Sequence, residues 1–270
     1  MEYIWLLLFM LAIGAFAGVA AGLLGVGGGI ILVPGFYYAF AVLGYESDGL
    51  MQICVATSLA TIIVTSVRSV MSHHKKGAVD WGILRGWAPG IAVGAVLGVL
   101  LASGLKSQTM MLVFGVVGVS VGLYMAFGRS EWRLGAAMPT GIKRALAAPV
   151  IGFLSVLMGI GGGSFGVPLM TLYGRPIHKA VATAAGFGLI IAVPSTLGFL
   201  LSGWGDITAP PFTIGRVNIA AFALVVSMTL LTAPLGVKLA HMMDPKPLKK
   251  VFAGFIILMA LNMLRKALLG

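Results

Sequence analysis

The sequence predicts an all-α integral membrane protein made of two inverted repeats, each a glycine-tipped helical hairpin followed by three transmembrane helices. Three observations predict it. Of 270 residues, 59% are hydrophobic and only 9% charged, whereas soluble domains carry about 25% charged residues. Ten apolar stretches cover most of the chain, and the mean hydropathy is +1.06. The segment GLLGVGGGIILVP at 22–34 returns as VLMGIGGGSFGVP at 156–168, which pairs Gly25, Gly27, Gly28, Gly29, Val33 and Pro34 with Gly159, Gly161, Gly162, Gly163, Val167 and Pro168.

The first stretch, 3–24, begins after an acid, Glu2, where a signal peptide carries cations, so it reads as a retained helix. Five glycines within eight positions then interrupt the apolar run before it resumes at 30–44. Glycine costs about 1 kcal/mol relative to alanine inside a helix, and in lipid the freed backbone groups find no water. Residues 3–44 as one helix would extend roughly 63 Å, twice the hydrocarbon core, so they fold back on themselves. Three stretches follow, at 50–72, 81–103 and 108–127. A short polar segment, 129–144, divides a first repeat (1–128) from a second (145–270). The second repeat reads 145–160, a return arm at 164–174 only about 16 Å long, then 179–202, 217–241 and 248–268. Val55-Ala56-Thr57 recurs as Val181-Ala182-Thr183, and Gly98, Val113 and Phe114 as Gly236, Val251 and Phe252.

A hairpin returns to its starting side, so each repeat crosses an odd number of times and the second lies upside down relative to the first. Loop charges agree. With residues 73–80 cytoplasmic, the inner side receives fourteen of the eighteen Lys and Arg residues, and both termini lie outside. The +11 net charge is therefore a positive-inside signature and not a nucleic-acid footprint, because the cations are scattered singly among loops. Residues 129–144 become a cytoplasmic linker. A single cysteine, Cys54, excludes an intramolecular disulfide and reads as a small buried hydrophobe.

With the repeats inverted, the glycine tips enter from opposite sides and meet near the midplane. Helices beginning at Gly29-Ile30 and Gly163-Ser164 would present their first N–H groups there, with a partial positive charge suited to an anion. Gly27, Gly28, Gly161 and Gly162 would let the anion approach the backbone. On 50–72, Ser58, Thr61, Thr65, Ser69 and Ser72 form a stripe that begins beside Thr57, and Thr183, Ser195 and Thr196 answer it from 179–202. The expected substrate-binding set is Gly27, Gly28, Gly29, Ile30, Thr57, Ser58, Thr61, Gly161, Gly162, Gly163, Ser164, Thr183 and Ser195. Gly14, Gly18 and Gly22, and Gly86, Gly90, Gly94 and Gly98, repeat at four-residue steps and read as helix-packing faces. No cofactor motif is present, since the third glycine position of G-x-G-x-x-G is Ile30 or Ser164 and no GK[ST] follows.

Gly162-Gly163-Ser164-Phe165-Gly166 matches G-x-S-x-G, which raises an intramembrane serine hydrolase, but a base must stand beside the serine. All four histidines, His73, His74, His178 and His241, fall at helix ends, where a solvated basic loop accounts for His73 and His74 better than a metal site.

The doubled G-x-G-G-G with V-P following, together with Val55-Ala56-Thr57-Ser58 and Val181-Ala182-Thr183, resembles the TauE/SafE sulfite exporter family over nearly the whole chain. Ala184 stands where the first half has Ser58. The resemblance implies a transporter, not an enzyme, which exports sulfite, sulfoacetate or another sulfonate across a bacterial inner membrane. A channel-like anion conductor is the alternative. The implied partners are a small organosulfur or sulfite anion and the lipid bilayer, with no nucleic acid, and a homo-oligomer is compatible with the sequence. Every acid falls in a loop or at a helix end, so carboxylate-based proton or sodium coupling is not expected.

Overall fold

Ten helices alternate with short turns in the computed structural model, which describes residues 2–25, 27–128, 132–242 and 245–269. The first half comprises α1 (Glu2–Leu24), α2 (Gly29–Val42), α3 (Leu50–His74), α4 (Trp81–Gly104) and α5 (Ser107–Phe127). The second comprises α6 (Gly141–Leu157), α7 (Gly163–Leu172), α8 (Ile177–Leu201), α9 (Ile219–Met242) and α10 (Pro245–Leu269). One hairpin of two short strands, β1 (Thr213–Ile214) and β2 (Val217–Asn218), lies between α8 and α9. Both halves thus consist of a helical hairpin and three further helices.

The hairpins are lopsided. α1 has 23 residues and α2 14, about 35 Å and 21 Å at helical rise. Gly27 and Gly28 take positive φ angles of 73° and 78°, a left-handed turn that residues with a side chain resist. Gly28 therefore lies beside Ala17, partway down α1, and α2 runs back along α1 with Tyr38 against Phe9. The second hairpin has arms of 17 and 10 residues.

Helices of one half pack on those of the other. α1 and α9 run side by side in one direction: Gly14 faces Val225, Gly18 faces Thr229 and Gly22 faces Val237. α4 and α6 repeat the arrangement, with Gly90 against Ala148, Gly94 against Pro149 and Gly98 against Val156. The glycines read as packing faces are thus placed, except Gly86, which faces the Arg144 guanidinium. α3 runs with α9, since Thr57 meets Asn218 near their starts and His73 meets His241 at their ends. α8 runs against α3: its His178 stacks on His241 at the end where α3 finishes. α3 and α8 form the centre, carrying Leu50, Ile53, Leu59, Phe187, Ile191 and Phe199 at essentially zero exposure. α5 and α10 pack together outside this centre.

Among the described residues six helices are long and apolar enough to cross a membrane: α1, α3, α4, α5, α8 and α9. Large apolar side chains such as Leu97, Leu100, Leu201 and Leu231 point outward, as lipid-facing positions require. The protein is a multi-pass membrane protein. Of the expected 129–144 linker, residues 129–131 lie outside the described residues. Residues 141–144 already form the first turn of α6, where Lys143 and Arg144 are good helix formers, Lys143 exposed and Arg144 laid toward Gly86.

A Cβ at Gly94 would drive into the Pro149 carbonyl of α6, whereas one at Gly254 meets nothing within 4 Å. Gly94→Ala is expected to destabilise the folded protein by about 1–3 kcal/mol through overpacking. Gly254→Ala should be neutral or raise stability by up to about 1 kcal/mol. Thermal unfolding of the purified variants in detergent measures both.

Candidate functional site

The two helix breaks meet at the centre of the bundle. A Cβ on Gly27 would lie 3.2 Å from the Gly161 Cα, and one on Gly29 would collide with the Gly159 carbonyl. Ser58 of α3 donates to that carbonyl at 2.8 Å. A methyl at Gly28 would come 2.8 Å from the Ala17 carbonyl, and one at Gly162 would strike Phe187 of α8. A Cβ at Gly27, Gly28 or Gly162 would therefore meet protein at close range. These glycines bring two polar backbone breaks together where side chains would hold them apart. Ile30 is buried in the apolar core.

The threonines of the repeated V-A-T segment have a different employment from the one expected. Thr57 is fully buried, donates to the Ile53 carbonyl at 2.7 Å and accepts from the Asn218 N–H at 2.9 Å. Thr183, equally buried, accepts from the Asp80 N–H at 2.9 Å. Asn218 and Asp80 each precede the fourth helix of their half, α9 and α4. Each caps it, the Asn218 Oδ1 accepting from the Ala221 N–H and the Asp80 Oδ1 from the Ile83 N–H. Each half's threonine thus holds the capping residue of the other half. Thr61 and Ser195 return their hydroxyls to their own helices, at the Thr57 and Ile191 carbonyls, the usual fate of hydroxyls in membrane helices.

Ser164, like Ser69, Ser155 and Thr196, keeps a buried hydroxyl without a partner, and of these four it alone stands at a helix start. It is 2% exposed, and its Oγ has no hydrogen-bond partner. It stands at the start of α7, whose first turn closes through Gly166 N–H to Gly162 C=O at 2.7 Å. The N–H groups of Gly163, Ser164 and Phe165 have no intrahelical acceptor and point past the helix end. Gly163 and Ser164 line a small cavity of about 50 Å³, walled by Leu23 and Leu24 of α1, Tyr124 and Met125 of α5, Val167, Pro168 and Thr171 of α7, and Ile177 and Val181 of α8. It reaches Ser164 from the end of the bundle where α1 finishes. Toward the opposite end, the β1–β2 hairpin and the Asn218–Thr57 bond close the centre, with the Arg216 N–H bonded to the Phe199 carbonyl at 3.0 Å. The Arg216 guanidinium pairs with Asp206 at 2.7 Å. Asp206 is held below its ordinary pKa chiefly by the Thr208 hydroxyl, with Arg216 adding to this.

Of the two histidines expected in a solvated loop, His74 is exposed at the end of α3 and His73 departs. His73 is 1% exposed. Its Nε2 lies 3.2 Å from the Gly22 carbonyl and its Nδ1 3.3 Å from His241 Nε2. A carbonyl only accepts, so the His73 proton sits on Nε2 and His241 donates to Nδ1. The contact joins α1, α3 and α9 at one end. No histidine hydrogen-bonds Ser164, so the serine lacks the base a hydrolase needs.

Sequence reasoning missed Asn218, Asp80 and the cavity walls on α1, α5 and α8. The two caps carry a readable signal, a polar residue immediately before an apolar run. Their threonine partners, 161 and 103 positions away, carry none. Thr57→Val and Thr183→Val should each cost about 1–3 kcal/mol by stranding a buried N–H, and Thr→Ser should recover most of it. Equilibrium unfolding of the four variants tests this.

With the geometry in hand, comparison with known proteins is direct. The model of the family described as Sulfite exporter TauE/SafE matches residues 10–263. A probable membrane transporter protein of Haemophilus influenzae is 30% identical over 260 residues, covering 96% of this chain and 98% of its own. Another from Methanocaldococcus jannaschii is 24% identical over 270 residues, covering 97% of each chain. A third, from Bacillus subtilis, is 27% identical over 72% of this chain and 78% of its own. No solved structure matches the chain. A multi-pass bundle with paired glycine breaks, matched almost end to end by that model, belongs to the TauE/SafE sulfite exporter family of membrane transporters.

Proposed function

We propose that the protein is a secondary transporter that exports a small sulfur-containing oxyanion, seated against the first turn of α7 and the Ser164 hydroxyl. The observation that carries this reading is the buried Ser164 Oγ without a partner, set on a cavity at a helix N-terminus. A buried hydroxyl left unpaired costs about 1–3 kcal/mol, and a helix N-terminus favours an anion. Gly163 and Ser164 therefore remain in the substrate set. Gly27, Gly28, Gly29, Gly161 and Gly162 support it by bringing the breaks together, with Ser58 fastening the second one. Ile30, Thr57, Thr61, Thr183 and Ser195 serve the scaffold.

The reading also places the halves in inverted orientation, in a bacterial inner membrane with both termini outside. Its support is directional: α1 and α6, the first helices of the two halves, pair with α9 and α4 in the same sense, while the central α3 and α8 run opposite ways. The cavity then opens toward the cytoplasm and the β1–β2 hairpin closes the outer side. A site reached from one side only suits alternating access better than a continuous pore.

Among the described side chains the acids are Glu46, Asp48, Asp80 and Asp206, all in loops or at a helix cap. No carboxylate lies within a spanning segment to relay protons or hold sodium. An inside-negative potential expels an anion at about 2.3 kcal/mol per charge per 100 mV, which suffices for export. Efflux of labelled sulfite from proteoliposomes should follow the imposed potential and persist without a pH gradient. Strict dependence on a pH gradient at clamped potential contradicts this.

Ser164→Ala should fold normally, lose at least about tenfold in anion affinity through one charge-assisted hydrogen bond, and slow counterflow accordingly. Unchanged sulfite binding and counterflow in a well-folded Ser164→Ala protein removes the seat. Current without counterflow would instead identify a channel.

A further inference from the structure

At the end of the bundle opposite the Ser164 cavity, an apolar groove and a polar chamber share a wall. The groove, about 340 Å³, runs between α10 and the α1–α2 hairpin, along Phe9 and Ile13 of α1, Ile31 and Pro34 of α2, and Met259 and Met263 of α10. Its deep end is Phe255, whose ring meets Phe16 of α1 at 5.7 Å. Its polar side chains, Tyr37, Tyr38, Asn262 and Lys266, all come from the later turns of α2 and α10. From Phe255 to Lys266 the helix rises roughly 16 Å. The chamber, about 450 Å³, lies between the α2–α3 turn, the start of α5 and the end of α10. Glu46, Ser47, Asp48, Ser107 and Gln108 give it a polar lining, with Met111 and Ala267 behind them. Both volumes are those of ligand sites.

Tyr37 and Lys266 line both spaces. The Lys266 Nζ lies 4.8 Å from the Tyr37 ring centroid, at the step from carbon to polar lining. A second cation stands beside it, Arg265, whose guanidinium donates to the Asn262 Oδ1 at 3.2 Å. Of the two carboxylates, Asp48 is shared with Lys106 at 4.0 Å. Glu46 is exposed and has no cation within 4 Å among the described residues. The order along the cleft is therefore apolar groove, cation, carboxylate. A phospholipid with an amine headgroup carries the complementary order of acyl chain, phosphate, ammonium.

We infer that this cleft binds one phospholipid of the phosphatidylethanolamine type, with an acyl chain in the groove, the phosphate on Lys266 and the ammonium donating to Glu46. Lysine at a membrane surface attracts lipid phosphate, and each methylene that enters the groove adds apolar burial. A primary ammonium has three N–H donors for the carboxylate. A trimethylammonium has none, and a glycerol headgroup brings no cation to Glu46. The lipid joins α10 to α2, the short hairpin arm that begins at the Gly29 tip, and so steadies the first helix break from the membrane side.

The test titrates delipidated full-length protein in detergent with dioctanoyl phosphatidylethanolamine, phosphatidylcholine or phosphatidylglycerol, reading thermal stabilisation and the lipid retained in native mass spectrometry. Phosphatidylethanolamine should bind at least about fivefold more tightly than either of the others. Glycerophosphoethanolamine, the same headgroup without chains, should bind at least about a hundredfold more weakly. Lys266→Gln should weaken all three phospholipids by about fivefold. Glu46→Gln should remove the preference for phosphatidylethanolamine. Glu46→Lys should transfer it to phosphatidylglycerol, a gain that a misfolded protein cannot produce. Equal binding of the three lipids by the wild type marks a general bilayer effect only and overturns the inference. An unaltered headgroup preference in both Glu46 variants, or a chain-free headgroup that binds as tightly as the lipid, overturns it as well.

Discussion

Everything in this fold answers one constraint: two helices are broken inside a bundle that presents apolar side chains to lipid. An unpaired N–H or C=O in hydrocarbon costs several kcal/mol, so a break survives only where protein or a wet cavity receives its polar groups. The two breaks pack on each other, and α3 supplies a polar partner. The Gly159 carbonyl of one accepts from Ser58 and packs on Gly29 of the other. Glycine is required at Gly28 because the chain turns there at φ 78°, and at Gly29 because no Cβ fits between it and the Gly159 carbonyl.

The same constraint explains why the halves are so thoroughly interlocked. A helix that starts within the bundle exposes N–H groups, and each half's fourth helix is capped by its own polar residue, Asp80 or Asn218. The capping residue's own N–H is then taken by a threonine of the opposite half. Glycine seams between α1 and α9 and between α4 and α6 add close backbone contact across the same divide. With little hydrophobic drive between helices in lipid, such contact and hydrogen bonding carry the association. The repeats function as one body because neither satisfies its own backbone.

Against this reciprocity the differences between the halves fall at the proposed seat. Ser58 fastens the second break, and its counterpart Ala184 has no hydroxyl for the first. Ile30 fills the core at the start of α2, and its counterpart Ser164 leaves a hydroxyl unpaired at the start of α7. One tip is sealed with carbon and the other kept polar beside a cavity. An anion seat on one of two related tips is the simplest use of that difference.

Membrane residence, the helices and the two glycine breaks were legible in the residues, because hydrocarbon demands long apolar runs and punishes backbone breaks severely enough to mark them in composition. The packing glycines of α1 and α4 were legible for a similar reason, since a four-residue step keeps them on one helix face. Partners distant in sequence were not. Thr57 and Thr183 look like any polar lining until α9 and α4 arrive with N–H groups that take them, and His73 looks like a loop residue until Gly22 and His241 cover it. Local pattern records which way a side chain faces along its own helix. What it faces depends on helices folded in from more than a hundred residues away, so the tertiary structure alone separated the hydroxyls already engaged, such as Thr57, Thr61 and Ser195, from those left unpaired, Ser164 among them.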